Sequence, residues 1–203
     1  MATLEFFFDC SSPWTYLAFH KVEDVALSAR AELVWRPFLV GGVFNTVNPS
    51  VYAARKAPAQ VPAKARYYLK DLADWSHAYG IAIGQPPVFP VNSVKAMRGA
   101  FVALEHVALP AYARAVFEAY WGDLADISQD SVMEAVIARV GLERGEFFAK
   151  IGDPVYKQKL RANTDELIGR GGFGSPTMFV NRDDMYFGND RLELVRHALE
   201  RAS

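Results

Sequence analysis

The sequence predicts an α/β protein in which a small sheet is interrupted by a large all-helical insertion. Three observations support this prediction: a strand-helix-strand pattern at the start, helical periodicity through the middle, and two short strands before a helix at the end. The chain has 203 residues, of which 51% are hydrophobic and 22% are charged. This composition is typical of a globular protein with a sizeable core rather than of a disordered chain.

The first 40 residues predict a β-α-β unit. Residues 4–8 read LEFFF, a short apolar run typical of a buried strand. Apolar side chains then recur at three- and four-residue spacing, which predicts a helix with Ser12 as its N-cap and Pro13 in its first turn. Residues 33–38 form a second strand, and a helix between two strands favours a parallel pair with a right-handed crossover.

The middle of the chain is predicted to be helical. Gly41 and Gly42 interrupt the pattern, and the prolines of residues 49–62 indicate a loop. Helices are then predicted over residues 63–79, 92–108, 110–121, 128–140, 144–152 and 155–169. We therefore expect a helical insertion domain at 47–170, within a domain formed by 1–46 and 171–203.

The end of the chain returns to strands. Residues 176–180 and 185–187 are separated by four polar residues, which predicts a hairpin, and a helix follows over 190–201. Without the insertion, the order of elements is that of the thioredoxin fold. The sequence therefore predicts a thioredoxin-like fold with a large all-helical insertion.

Charge, cysteine content and hydropathy exclude several classes of function. A net charge of −1 produces no overall field that attracts nucleic acid or an anionic membrane. The single cysteine excludes an intramolecular disulfide framework, and the four histidines lack metal-ligand spacing. The first nine residues do not resemble a signal peptide, and no apolar stretch is long enough to cross a membrane. We expect a cytoplasmic protein without a metal, nucleic-acid or membrane partner.

The junction of the first strand and first helix carries the most informative residues. Redox proteins of the thioredoxin fold place a Cys-x-x-Cys pair at this helix end, whereas this chain has Ser12-Pro13-Trp14-Thr15. Two hydroxyls cannot carry out dithiol–disulfide exchange, but at this helix end they can stabilise the thiolate of another molecule. Cys10 lies two residues earlier, where it is either a small buried hydrophobic residue or a redox nucleophile.

Ser12 and the helix end together supply enough stabilisation to hold a thiolate. Lowering the pKa of a free thiol by ~2 units requires roughly 2.7 kcal/mol of preferential stabilisation of the anion. A hydroxyl hydrogen bond to an anion contributes on the order of 1.5–3 kcal/mol, and a helix N-terminus adds up to about 2 kcal/mol. The alternative is that Ser12 is only an N-cap.

Two further segments offer ligand-binding groups near the end of the chain. Pro176 opens a strand, where thioredoxin-like folds place a cis-proline that leaves the backbone of the preceding Ser175 free to pair with a peptide-like ligand. The alternative is an ordinary trans turn proline. Asn189 or Asp190 either caps the last helix or binds the ammonium and carboxylate groups of a ligand.

These segments resemble those of a known family. FDCSSPWTYLA at the start, VPAKARYYLKDLADW in the middle, and GSPTMF and FGNDRLELV near the end are similar to 2-hydroxychromene-2-carboxylate isomerases, which belong to the DsbA-like, kappa-class glutathione transferase group. The resemblance implies a thioredoxin fold with a helical insertion, glutathione as cofactor and a homodimer. It also implies a glutathione site formed by Ser12, at the sulfur, and by Lys64, Ser175, Pro176, Asn189 and Asp190.

The resemblance also implies a reaction. A thiolate stabilised by Ser12 adds reversibly to the substrate, which interconverts 2-hydroxychromene-2-carboxylate and trans-o-hydroxybenzylidenepyruvate or a related aromatic-catabolism intermediate. We expect Trp14 to line the pocket of this small aromatic substrate, and most other aromatic side chains to lie in the core. Arg55 stands where many relatives have an asparagine, and it either binds a substrate carboxylate or is a solvated loop arginine.

Three other functions remain open at this point. A kappa-class glutathione transferase or peroxidase would consume glutathione instead of returning it. A DsbA-like oxidoreductase would use Cys10, and a non-catalytic domain would bind a ligand without turning it over.

Overall fold

A four-stranded mixed sheet organises the fold. The computed structural model describes residues 1–51 and 61–202. The strands are β1 (Thr3–Phe8), β2 (Glu32–Pro37), β3 (Thr177–Val180) and β4 (Asp184–Phe187), in the order β2-β1-β3-β4. β1 and β2 are parallel, whereas β1 with β3 and β3 with β4 are antiparallel. This arrangement confirms the thioredoxin-like fold class.

Helix α1 (Pro13–Ser28) connects β1 to β2 and begins as the sequence predicts. Ser12 is its N-cap, and the hydroxyl of Ser12 accepts a hydrogen bond from the backbone N–H of Thr15 at 3.3 Å. Pro13 occupies the first turn, where its missing N–H removes no helical hydrogen bond.

Eight further α-helices lie in the described part of the chain: α2 (Val40–Val47), α3 (Pro62–Tyr79), α4 (Val94–Glu105), α5 (Leu109–Phe117), α6 (Asp130–Arg139), α7 (Arg144–Gly152), α8 (Pro154–Gly169) and α9 (Leu192–Arg201). A π-helical turn (Glu118–Gly122) follows α5, and a 3₁₀ turn (Asn189–Arg191) precedes α9. The helical middle is confirmed.

The prediction that Gly41 and Gly42 interrupt regular structure was wrong, because both lie in α2. A Cβ at Gly42 would lie 3.1 Å from the Cγ2 atom of Thr164 in α8, so a small residue suits the contact between these helices. Glycine lowers helix stability by roughly 1 kcal/mol, but tertiary packing of the kind made by the buried Val43 outweighs such a propensity.

The predicted side-chain cap of the last helix was also wrong. The chain enters α9 through the 3₁₀ turn, and neither this turn nor α9 has a side-chain cap hydrogen bond. Gly188 precedes the turn with φ of +100°, a backbone conformation that a residue with a Cβ rarely adopts. Asn189 and Asp190 therefore lie inside the turn rather than capping the helix.

The two faces of the sheet bury different clusters. Phe6 and Phe8 point into the main core with residues of α1, α4 and α5, and this cluster continues across the predicted domain boundary at residue 47. Phe7, on the opposite face, packs with Phe38 and Phe179 under α2 and α8. The division into two domains stays a prediction from sequence.

Candidate active site

A cavity of about 580 Å³ opens where β1 ends and α1 begins. Its walls come from six segments: the start of α1, α2 with the residues that follow it, α3, the chain leading into α4, the loop before β3, and the end of β4. The lining includes Ser12, Trp14, Asn45, Asn48, Tyr68, Phe89, Asn92, Ser93, Phe173, Ser175 and Phe187. The end of a strand beside a helix N-terminus is a common ligand-binding position in open α/β sheets.

Ser12 lies at the floor of this cavity and its hydroxyl is bonded on both sides. The hydroxyl donates to the backbone carbonyl of Ser175 at 3.2 Å and accepts from the Thr15 N–H. The oxygen thus sits at the positive end of α1 with a proton available to donate. Rotation away from the Ser175 carbonyl would direct that proton to an anion in the cavity.

The Ser175–Pro176 peptide bond is cis, as the fold context favours. The hydroxyl of Ser175 accepts from the N–H of Asp9 at 3.1 Å and lies 2.7 Å from the hydroxyl of Thr15. The Pro176 carbonyl accepts from the N–H of Gly188 at 3.2 Å. Ser175 and Pro176 belong to the loop before β3, which we call the proline loop. Hydrogen bonds therefore connect the proline loop to the start of α1 and to the end of β4.

Asp9 lies behind Ser12 and is fully buried. Its Oδ1 accepts from the N–H of Ser11 at 2.9 Å. Its Oδ2 accepts from the N–H of Val40 at 2.9 Å and from the hydroxyl of Ser93 at 3.1 Å. Burial raises the pKa of the Asp9 carboxyl, and these hydrogen bonds oppose that shift. Sequence reasoning missed the role of Asp9, because two of its three side-chain partners, Val40 and Ser93, are 31 and 84 residues away.

Cys10 is placed in the core rather than in the cavity. Its side chain is 1% exposed, and its backbone N–H points at the Met97 sulfur at 3.4 Å. Burial, with a smaller contribution from the Asp9 charge, raises the pKa of the thiol well above its usual value. A buried thiol held in its neutral form is a poor nucleophile, so the geometry favours packing over catalysis.

Aromatic side chains form two sides of the cavity. The Trp14 indole N–H donates to the Tyr68 hydroxyl at 3.0 Å, and their rings meet edge to face at 5.4 Å. Phe173 and Phe187 form a second pair with ring centroids 4.5 Å apart. Phe89 also lines the cavity and is 49% exposed. Tyr68 and Phe89 thus line the cavity together with Trp14, although we expected most aromatic side chains other than Trp14 to lie in the core.

Three asparagines add polar groups to these apolar walls. Asn45 belongs to α2, Asn48 follows it, and Asn92 precedes α4. Amides orient a polar ligand by donating and accepting hydrogen bonds without adding charge. Sequence reasoning missed them because α2 itself was missed; recognition of that helix would have been the signal for Asn45.

The glutathione residues implied by the resemblance fall into separate groups. Ser12 and Ser175 meet in the cavity, whose lining does not include Asn189 and Asp190. Those two residues line a separate cavity of about 470 Å³ beside α1, α3 and α9. Asn189 is 4% exposed, and its Nδ2 finds no hydrogen-bond partner within residues 1–51 and 61–202. Such a buried donor suits a ligand carboxylate.

Of the two remaining predicted residues, the structure describes only Lys64. Lys64 is exposed on α3, one helical turn before Tyr68 and on the same side of that helix. Arg55 lies outside the described residues. No group of His, Cys, Asp or Glu side chains in the described ranges is arranged to hold a metal ion. No helix of those ranges is long and apolar enough to cross a membrane.

The fold and site together define a thioredoxin-like protein that has a serine at the helix end where dithiol proteins have a cysteine pair. The family model described as DSBA-like thioredoxin domain matches residues 3–200, and the chain belongs to that family.

Two groups of named relatives are similar to the chain over almost its full length. The 2-hydroxychromene-2-carboxylate isomerase of Pseudomonas sp. (strain C18) is 29% identical over 201 residues, covering 97% of this chain and 89% of that protein. Glutathione S-transferase kappa 1 of Homo sapiens is 28% identical over 216 residues, covering 97% and 90%. A solved structure of a 2-hydroxychromene-2-carboxylate isomerase has a TM-score of 0.81 at 26% identity, covering 98% of this chain and 95% of that one. The resemblance inferred from the motifs is confirmed.

Proposed function

We propose that the protein is a glutathione-dependent isomerase acting on 2-hydroxychromene-2-carboxylate or a related aromatic intermediate. The observation that carries the proposal is the Ser12 hydroxyl at the positive end of α1, facing a cavity with aromatic walls. The isomerases among the relatives support the reaction, and the kappa transferases support the use of glutathione.

We assign four parts of the chain to glutathione. The Ser12 hydroxyl donates to the sulfur, and the backbone of Ser175 before the cis-proline pairs with the cysteinyl unit. The unpartnered Nδ2 of buried Asn189, next to Asp190, suits the charged γ-glutamyl end. Lys64 is assigned to the glycyl carboxylate. When bound, glutathione supplies a thiolate that adds to the conjugated substrate and is later expelled, so a double bond becomes rotatable in between.

The protein's own residues have distinct tasks in this mechanism. Ser12 and the start of α1 lower the free energy of the thiolate by electrostatic preorganisation. Trp14, with Tyr68, holds the flat aromatic substrate, and Arg55 is assigned to its carboxylate. We further propose that the protein is a cytoplasmic homodimer.

The decisive experiment follows conversion of 2-hydroxychromene-2-carboxylate by ultraviolet absorbance, with and without glutathione. We expect conversion only when glutathione is present, and an unchanged amount of free glutathione at the end. Conversion at equal rates without glutathione would contradict the proposal.

The second candidate is a kappa-class glutathione transferase or peroxidase, which the 28% identity to the human kappa enzyme favours. Glutathione stoichiometry separates the two, because a transferase or peroxidase consumes one or two molecules per turnover. Loss of free glutathione with a conjugating substrate or a peroxide would therefore select this candidate.

A dithiol-type activity through Cys10 is tested separately. Because Cys10 is buried, we expect Cys10→Ser to leave insulin reduction at the level of the unmodified protein. A reduction activity that disappears in this variant would restore the DsbA-like alternative.

A further inference from the structure

Asp9 joins the segments that surround the cavity. Its carboxyl binds the turn before α1 through Ser11, the start of α2 through Val40, and the segment leading into α4 through Ser93. Its backbone N–H binds the proline loop through the Ser175 hydroxyl. All four segments contribute to the cavity lining. A single residue just after β1 therefore links these four segments by hydrogen bonds.

The hydrogen bonds of Asp9 also indicate its charge. Each carboxyl oxygen accepts from a backbone N–H, and such a group can only donate. Three donors to a carboxyl favour its ionised form, although burial acts in the opposite direction. No Lys, Arg or His of residues 1–51 and 61–202 forms an ion pair with it. Asp9 thus has a buried carboxyl that is contacted by backbone dipoles and hydroxyls and has no counter-cation in those ranges.

This charge lies next to the place where a thiol would bind. The backbone carbonyl of Asp9 accepts from the N–H of Ser12 at 3.2 Å, so the two residues share one turn. The Asp9 charge already acts on a neighbouring sulfur: after burial, it is the second cause of the raised pKa of Cys10. A like charge disfavours ionisation of any nearby acid, and a bound thiol is such an acid.

We propose that Asp9 is a positioning residue that holds the cavity walls around the start of α1 and whose negative charge opposes full ionisation of a thiol bound at Ser12. This inference rests on the proposed function. The Asp9 charge keeps the pKa of the bound thiol from falling too far under the influence of the helix end and the hydroxyl. This matters because a thiol attacks best when its pKa is near the ambient pH. The other groups facing Asp9 are the hydroxyls of Ser11, Ser93 and Ser175 and the neutral thiol of Cys10.

The test is a pH titration of protein-bound glutathione, followed by thiolate absorbance in the ultraviolet, in unmodified protein, Asp9→Asn and Ser93→Ala. Asp9→Asn removes the charge, so we expect the pKa of the bound thiol to fall by about one unit. Ser93→Ala removes one attachment and keeps the charge. We expect it to weaken glutathione binding several-fold while the pKa of the bound thiol stays unchanged.

A second measurement uses the unmodified protein, so it does not depend on the folding of Asp9→Asn. Carbon-13 NMR of labelled aspartate carboxyls follows Asp9 with bound glutathione and with bound S-methylglutathione, which cannot form a thiolate. Because the coupling of two ionisations is reciprocal, we expect the thiolate of bound glutathione to raise the pKa of Asp9, relative to the S-methyl analogue, by the same amount that the Asp9 charge raises the pKa of the thiol.

The outcomes separate this inference from the proposed function. If calorimetry detects no glutathione binding to the unmodified protein, both fail. If glutathione binds with a lowered thiol pKa, but that pKa is equal in Asp9→Asn and the pKa of Asp9 is the same with glutathione and with the S-methyl analogue, the proposed function stands and the role of Asp9 is overturned.

Discussion

Two carboxyl groups in different regions of the molecule have opposite surroundings. Asp9, under the cavity, is fully buried without a cation, and burial raises its pKa. Glu105, at the end of α4, accepts hydrogen bonds from Lys150, Tyr156 and Lys159. Burial also acts to raise the pKa of Glu105, but these three bonds outweigh it and lower the pKa to about 2.

Glu105 has a structural charge, because the cations around it let that charge stabilise the contact of α4 with α7 and α8. The Asp9 carboxyl is contacted only by dipoles and hydroxyls, so its ionisation lowers stability. Titratable groups held against their preferred charge state cluster at functional sites. The contrast points to the cavity as the region whose changes affect turnover and to the helical layer as the region whose changes affect folding.

Ser12→Ala is expected to have the largest effect. Loss of the hydroxyl donor removes stabilisation of the thiolate, so turnover should fall by roughly one to three orders of magnitude, as when a key anion donor is lost. Steady-state kinetics with saturating glutathione measure this effect, and circular dichroism checks that the fold is intact. Unchanged turnover in a folded variant would mean that Ser12 is only an N-cap.

Glu105→Gln should have the converse effect, leaving turnover unchanged and lowering stability. Because Glu105 is about one-third exposed, with a side-chain exposure of 36%, we expect a loss of about 1 kcal/mol at pH 7. The folded-state pKa lies below the usual 4.5, so this contribution is present above pH 4.5 and disappears as the pH falls toward about 2.

Urea unfolding of the unmodified protein and Glu105→Gln at several pH values measures that contribution. The two curves should converge on the acid side. A stability difference that persists unchanged down to pH 3 would contradict the assignment.

Gly174→Ala tests whether one aromatic wall of the cavity contributes to substrate binding. A Cβ at Gly174 would lie 2.7 Å from the Phe187 ring, which must then move. We expect a several-fold rise in the KM for the aromatic substrate with little loss of stability, because Phe187 is partly exposed and can shift. Gly152→Ala is the matched control, since a Cβ there has no atom of the described chain within 4 Å. Equal KM values in the two variants would exclude Phe187 from substrate binding.

Tyr68→Phe should have the smallest effect. It removes the acceptor for the Trp14 indole N–H but keeps the edge-to-face ring contact. We expect a KM change within about twofold and a stability change within about 0.5 kcal/mol, as for most exposed positions. Tyr67→Phe, at the more exposed neighbouring position, is the control. A large loss of turnover in Tyr68→Phe would show that its hydroxyl has a chemical task.

Local signals in the sequence determined the order of the elements, the cap at Ser12 and the absence of a cysteine pair at the helix end. These features depend on residues within about four positions of one another, so periodicity and capping rules predict them. The same rules failed where a long-range contact determines whether a helix forms or how it begins. Helix α2 forms around two glycines because α8 packs against it, and α9 begins through a 3₁₀ turn without a cap.

Only the tertiary structure shows which segments form the cavity. Asp9 forms hydrogen bonds with Val40 and Ser93, which are far along the chain. Ser12 forms a hydrogen bond with Ser175, which is 163 positions away, and Asn189 lines a different cavity from Ser12. The composition and spacing of residues do not specify which distant segments meet, because that depends on packing of the whole core. The sequence alone thus established a serine at the N-cap of α1, and only folding supplied the walls, the proline loop and the buried carboxyl of Asp9 around it.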